Sequence, residues 1–130
     1  MAEASYPDGL LYHPEHDWAK IDGTDATFGI TWYAQDALGE VVFYDPPEVG
    51  SEVGKDKPYA EVESVKAVSD VFAPLSGEIV EVNSAVADSP ETINSDPYGE
   101  GWLVKVKLSD PAEAEGLMDA GAYKDLLSDQ

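Results

Sequence analysis

Apolar and polar residues alternate with period two over much of the chain, and that spacing predicts strands. In the middle, Ala60, Val62 and Ser64 alternate with Tyr59, Glu61 and Glu63. Just beyond, Val68 and Asp70 alternate with Ser69, Val71 and Ala73, so two strands meet with Lys66 where the chain must turn. Earlier, Trp18 to Ile21 and Thr24 to Ile30 flank Asp22-Gly23, and Ala26, Phe28 and Ile30 point inward. Asp-Gly between such runs is a strong hairpin signal. Glu40 to Tyr44 reads as a strand cut by Pro46-Pro47, and Gly50, Gly54 and Pro58 punctuate a loop. Pro74 and Ser76-Gly77 turn into a strand over Glu78 to Val82, which Asn83 ends. Trp102 to Leu108 is the last strand, with Trp102, Val104, Val106 and Leu108 inward and the lysines outward.

Helices are few and short. Thr31 is placed as the N-cap of Trp32 to Leu38 and Gly39 as its stop, with Trp32 read as core cover in preference to part of a docking surface. Ser89-Pro90 opens a helical turn, and Asn94 to Gly99 is loop. Asp110-Pro111-Ala112-Glu113 supplies an N-cap, a first-turn proline and the acid of a capping box, so a helix is expected to about Met118. A second short helix around Tyr123 to Leu127 offers Leu126 and Leu127 to the core. Residues 1–9, with Pro7 and Gly9, are expected to be loose. Gly39-Glu40-Val41-Val42 and Gly77-Glu78-Ile79-Val80 match on either side of the Lys66 hairpin, as two quasi-equivalent halves of a small flattened barrel would.

Composition narrows the function classes. At 130 residues and 43% hydrophobic content, one domain over residues 1–130 with a modest core is expected. There are 27 acids, seven lysines and no arginine, a net charge of −20. Nucleic acid or an anionic membrane would repel such a chain, whereas basic docking surfaces would attract it. With no cysteine, disulfides, thiolate metal sites and a cysteine nucleophile are excluded. The start, Met1-Ala2-Glu3-Ala4-Ser5, has neither a secretory signal pattern nor an Arg-rich transit pattern. A cytoplasmic protein, or a processed chain of the mitochondrial matrix, is expected.

Two stretches invite chemistry. His13-Pro14-Glu15-His16-Asp17 puts two imidazoles and two acids in five residues, but Pro14 breaks the helical spacing that would gather them around a metal, so a structural or pocket-lining role is preferred. Lys66 is the other: no cation stands between Lys57 and Lys105 except Lys66, and the hairpin has no Asn-Gly or Asp-Gly turn. It is either an ordinary loop-tip lysine or an amine aimed by rigid strands for enzymatic acylation. No nucleophile elbow or phosphate loop is present, so the chain is read as non-catalytic.

At Glu63-Ser64-Val65-Lys66-Ala67 the sequence resembles the swinging-arm site of the glycine cleavage system H-protein family. The resemblance extends through His16-Asp17-Trp18 (the family more often has Glu in the middle), Ile30-Thr31-Trp32-Tyr33-Ala34-Gln35, Gly39-Glu40-Val41-Val42-Phe43, Ser76-Gly77-Glu78-Ile79-Val80-Glu81-Val82-Asn83, Ile93-Asn94-Ser95-Asp96-Pro97-Tyr98 and Gly101-Trp102. It implies a mainly β fold, the barrel-sandwich hybrid of lipoyl and biotinyl carriers, with two small antiparallel sheets and short peripheral helices including a C-terminal one. It also implies lipoic acid in amide linkage on Lys66, with Glu63, Ser64, Val65 and Ala67 as the attachment context, and Glu63 recognised by the lipoate-attaching enzyme. In such a cycle a pyridoxal-phosphate glycine decarboxylase releases CO2 and leaves the aminomethyl carbon on a lipoyl sulfur. An aminomethyltransferase then frees ammonia and passes the carbon to tetrahydrofolate, and dihydrolipoamide dehydrogenase reoxidises the dithiol with NAD.

The resemblance further implies a surface cleft that shelters the loaded arm. Asp17, then Asp70 and Glu15, are the candidate partners of its protonated amine, each weighed against a solvated surface acid. Gly77, eleven residues after Lys66, is assigned to the opposing turn. A biotin carrier would flank its lysine with methionines, against which stand Val65 and Ala67. A 2-oxoacid dehydrogenase lipoyl domain would place Asp before it and hang on long linkers, against which stand Val65 and the helical C-terminus. The alternatives kept are a lipoyl-domain-like protein serving as a lipoyl donor or a 2-oxoacid dehydrogenase carrier, and an acidic interaction protein whose lysine stays unmodified.

Overall fold

A computed structural model describes residues 6–128. The first five of the nine residues expected to be loose lie outside that range. Two antiparallel sheets carry the fold. The larger runs in the order β1-β2-β3-β9-β8-β5 and the smaller β4-β6-β7. Their strands are β1 (Leu11–His13), β2 (Asp17–Asp22), β3 (Asp25–Ile30), β4 (Val41–Asp45), β5 (Glu52–Val53), β6 (Pro58–Ser64), β7 (Val68–Phe72), β8 (Gly77–Val82) and β9 (Val104–Leu108). One apolar cluster draws side chains from both sheets: Ala26 and Phe28 from β3, Val62 and Val71 from the small sheet, Ile79 from β8, Val104 and Val106 from β9. The architecture is therefore mainly β, a barrel-sandwich hybrid closed around a shared core, with short helices outside it. Each fully buried Phe, Ile or Val contributes about 1.5–3 kcal/mol.

Alternation predicts the strands because it records which face is buried. In β8 and β9, Ile79, Val104 and Val106 are fully buried while Glu78 and Lys107 face water. The inward set of the last strand shifts, however. Leu103 is fully buried and hydrogen-bonded across to Phe28, whereas Trp102 is only half-buried against the second apolar cluster. Two strands escape the spacing: β1, which runs into the His13–Asp17 stretch, and the two-residue β5, which lies in the stretch assigned to loop. Pro58 begins β6 instead of ending that loop.

Helix α1 (Trp32–Leu38) has the expected Thr31 cap, whose Oγ1 accepts the Ala34 N–H at 3.2 Å, and Gly39 closes it at φ 84°. Asn83 does more than end β8. It caps α2 (Ser84–Asp88) and donates to the Glu100 and Trp102 carbonyls at 2.9 and 2.7 Å. Helix α3 (Thr92–Ser95) takes in Asn94 and Ser95, which read as loop. The expected helix after Asp110 is a 3-10 helix, Pro111–Gly116. There the capping box stays open, because Glu113 accepts from the backbone N–H and hydroxyl of Ser76 at 2.8 and 3.0 Å instead. Helix α4 (Ala120–Ser128) closes the described chain, burying Tyr123 completely, with Leu126 and Leu127 packed at the edge of the second cluster.

The matched Gly-Glu segments serve different ends. Gly39 is a left-handed helix stop, while Gly77 begins β8 where any Cβ would collide with the Lys107 carbonyl. Trp32 belongs to neither apolar cluster; with Gly39 and Glu40 it walls a surface groove of about 780 Å³. The expectation that it covers the core is corrected, because the core beneath α1 is closed by Ala34 and Leu38 on the helix's other face.

Candidate functional site

Lys66 is exposed at the tip of the β6–β7 hairpin, beyond the last paired residues Glu63 and Val68. Ser64 builds the turn. Its Oγ accepts the N–H groups of Lys66 and Ala67 at 3.2 and 3.1 Å, and its own N–H donates to the Ala67 carbonyl at 2.7 Å. Among the described residues, only His16 and Asp56 are non-glycines with positive φ, so the turn needs no left-handed backbone and tolerates Val65 and a long amine at its tip. Ser64 is buried for this purpose, while Glu63, Val65 and Ala67 are exposed.

The tip is also tied to its surroundings. Val65 donates to the Glu40 carbonyl at 3.1 Å. Asn94 holds the adjoining segment, accepting from the Val41 N–H at 2.8 Å and donating to Gly39 O and Gln35 Oε1 at 2.8 and 3.0 Å. The Lys66 stem lies over Gly39, where an added Cβ would sit 3.5 Å from its Cε. Trp18 Nε1 donates to the Pro97 carbonyl at 3.0 Å, and the Trp32 N–H to the Tyr98 hydroxyl at 2.9 Å. Three of the sequence motifs thus interlock behind the hairpin as scaffold.

Beside the lysine, between α1 and the β7 edge, opens a cleft of about 340 Å³. Glu15 and Asp17 from one stretch and Asp70, far from them in sequence, all line it, together with Ala67 of the hairpin. Apart from these acids, His16 and Ser69, its floor and walls are apolar or aromatic, including Ile30, Tyr33 and Leu38. Glu15 and Asp70 are exposed at its rim, but Asp17 is only 2% exposed, so the surface-acid alternative fails for that residue. Burial, with the Glu15 charge adding to it, pushes the Asp17 carboxyl well above the ordinary carboxylate range, against the Phe72 N–H, which favours the anion. Its Oδ2 has no hydrogen-bond partner. An acid left in this state suits a cationic guest better than an empty cavity.

Elements with no sequence signature shape the cleft. His16, at φ 73°, pairs through Nδ1 with the Tyr123 hydroxyl at 2.7 Å, and that hydroxyl also meets Thr31 Oγ1 at 2.8 Å. The His16 ring packs on Tyr33 at 4.4 Å, and burial holds its imidazole below the ordinary value while Glu15 pulls the other way. His13 turns away to Asp56 Oδ1, 2.5 Å from its Nε2. The two imidazoles of the His13–Asp17 stretch thus serve separate contacts. Only a left-handed His16 in the right sequence context could have hinted at this, and no residue type announces it.

Among known families, the model described as "Glycine cleavage H-protein" matches residues 10–130. A glycine cleavage system H protein of Symbiobacterium thermophilum is 52% identical over 120 residues, covering 92% of this chain and 94% of that one. One from Escherichia coli O7:K1 is 53% identical over 129 residues, covering 98% and 99%. The crystal structure of a glycine cleavage system H protein from Mycobacterium marinum superposes with a TM-score of 0.87 at 42% identity, covering 94% of this chain and 98% of that one.

Proposed function

The chain belongs to the glycine cleavage H-protein family, and on that premise we propose that it acts as one non-catalytic carrier domain, with lipoic acid in amide linkage on Lys66. The observation that carries the reading is an exposed lysine, fixed by Ser64, beside a cleft that gathers three separate acids. When attached, the dithiolane supplies the sulfur that accepts the aminomethyl carbon of glycine and the redox couple that dihydrolipoamide dehydrogenase resets. The chain's residues supply position and shelter. Ser64 and the Glu40 carbonyl aim the lysine, and Glu63 is exposed for the lipoate-attaching enzyme to read.

Asp17, Asp70 and Glu15 receive the protonated amine between the glycine decarboxylase and the aminomethyltransferase. A protonated nitrogen has no lone pair with which to expel sulfur, so pairing it with a buried carboxylate delays breakdown. Ile30, Tyr33 and Leu38 limit access of water. The setting is the bacterial cytoplasm or, for an organellar chain, the mitochondrial matrix.

Intact mass and peptide mapping of protein from its native source test the assignment. A lipoyl increment on Lys66 is expected. A biotinyl increment would move the chain to carboxylase chemistry, and an unmodified lysine would overturn the carrier reading.

A further inference from the structure

His13 is 3% exposed and plays no part in lining the cleft, yet it joins the cleft's buried acid to the surface. Its Nδ1 accepts the Glu15 N–H at 3.1 Å, so the neutral ring carries its proton on Nε2 and donates it to Asp56. Asp56 is 65% exposed and adopts φ 70°, a conformation that costs a non-glycine residue energy and that delivers its carboxylate to the ring. On the inner side, Nδ1 stands 3.8 Å from Asp17 Oδ2. Oδ2 has no hydrogen-bond partner, so a proton held there by Asp17 would face the Nδ1 lone pair across that gap.

We infer that His13 is a positioning residue for Asp17: when a cationic amine enters the cleft, Nδ1 takes the Asp17 proton, Nε2 releases its own through Asp56 to water, and the ring ends as the Nδ1–H tautomer. The step balances. Asp17 becomes a carboxylate paired with the amine on one side and hydrogen-bonded by Nδ1–H on the other, and one proton leaves for solvent. Nδ1 and Oδ2 close from 3.8 Å to hydrogen-bond distance as the Glu15 N–H lets go, and departure of the amine reverses the path. The raised proton affinity of buried Asp17 agrees with a neutral acid in the empty cleft.

The groups facing Asp17 are His13 from β1, Glu15 from the β1–β2 turn, Tyr59 from β6, the Phe72 N–H from β7 and Tyr123 from α4. Glu15 is itself an acid exposed at the cleft rim; of the other groups His13 touches an exposed acid, and Tyr59, whose hydroxyl is buried without a partner, has no such outlet.

The inference rests on the cleft as an amine site and is separable from it by nitrogen-15 NMR of the His13 ring and carbon-13 NMR of the Asp17 carboxyl in the full-length chain. Methylammonium chloride is the probe, with potassium chloride at equal ionic strength as control. We expect the Asp17 carboxyl to ionise, His13 to change from Nε2–H to Nδ1–H, and the Glu15 amide to lose its hydrogen bond, all with one saturation curve. His13→Gln should weaken methylammonium binding severalfold. Ionisation of Asp17 with the His13 tautomer unchanged would overturn the role of His13 and leave the amine site standing. No response at Asp17 would overturn both.

Discussion

Strand β2 begins at the buried Asp17 and ends at the Asp22-Gly23 turn, and its two ends solve different problems. At the far end Asp22 pairs with Asp25, and Gly23 at φ 65° opens a two-residue loop with space around it. That turn is closed by backbone geometry, and its Thr24 carbonyl accepts the Leu108 N–H at 2.7 Å. At the near end the chain meets the Lys66 hairpin, closed by the Ser64 side chain and tied to Glu40, with Asn94 bracing the segment behind it. A glycine turn reverses the chain at low cost, and here a single backbone hydrogen bond to β9 holds it. A turn closed by a side chain and braced from a neighbouring strand gives its tip a direction. The difference follows from having an amine to present.

Lys66→Arg should have the largest effect. Glycine cleavage in the reconstituted system should fall to background while the melting temperature stays unchanged, because the exposed side chain contributes no buried contact; residual cleavage would remove Lys66 from the reaction. Next comes Asp17→Ala, which should leave lipoylation intact and shorten the lifetime of the loaded arm about tenfold, the loss of roughly one charge-assisted hydrogen bond. An unchanged lifetime would take Asp17 out of the cleft's function.

Ser64→Ala should lower stability by about 1–2 kcal/mol through its lost turn hydrogen bonds and slow attachment of lipoate. Gly23→Ala at the opposite end should cost about 1 kcal/mol and leave attachment untouched. Equal attachment rates for those two variants would erase the contrast between the turns. Smallest is a pH effect. Because the folded state holds the Asp17 proton more tightly than the unfolded chain does, it keeps that proton as pH rises past the ordinary carboxylate range, where the unfolded chain loses it, and stability declines across that window. Urea titrations should show this decline flattened in Asp17→Asn; an identical slope would mean that Asp17 ionises as freely in the fold as outside it.

Much of this was legible beforehand. Alternation is a local record of burial, so β2, β3, β8 and most of β9 were readable from spacing alone. The Thr31 cap and the Gly39 stop were readable because helix ends have local chemistry. Where local and tertiary demands diverged, the spacing misled. Val53 is placed by pairing across to Gly77, and Leu103 by Phe28, contacts that no window of neighbouring residues contains. Glu113 has the position of a capping-box acid, but Ser76 offers it better partners from another part of the fold.

The sequence by itself determined that Lys66 stands alone at a hairpin tip in an acidic chain, and that the strands around it form a small mainly β body. Tertiary structure alone decided that Glu15, Asp17 and Asp70 share one cleft, that Asp17 is buried without a partner for Oδ2, and that His13 links it to Asp56. The reason is physical: periodicity reports which face of a strand meets the core, whereas the proton affinity of an acid depends on which distant groups close over it.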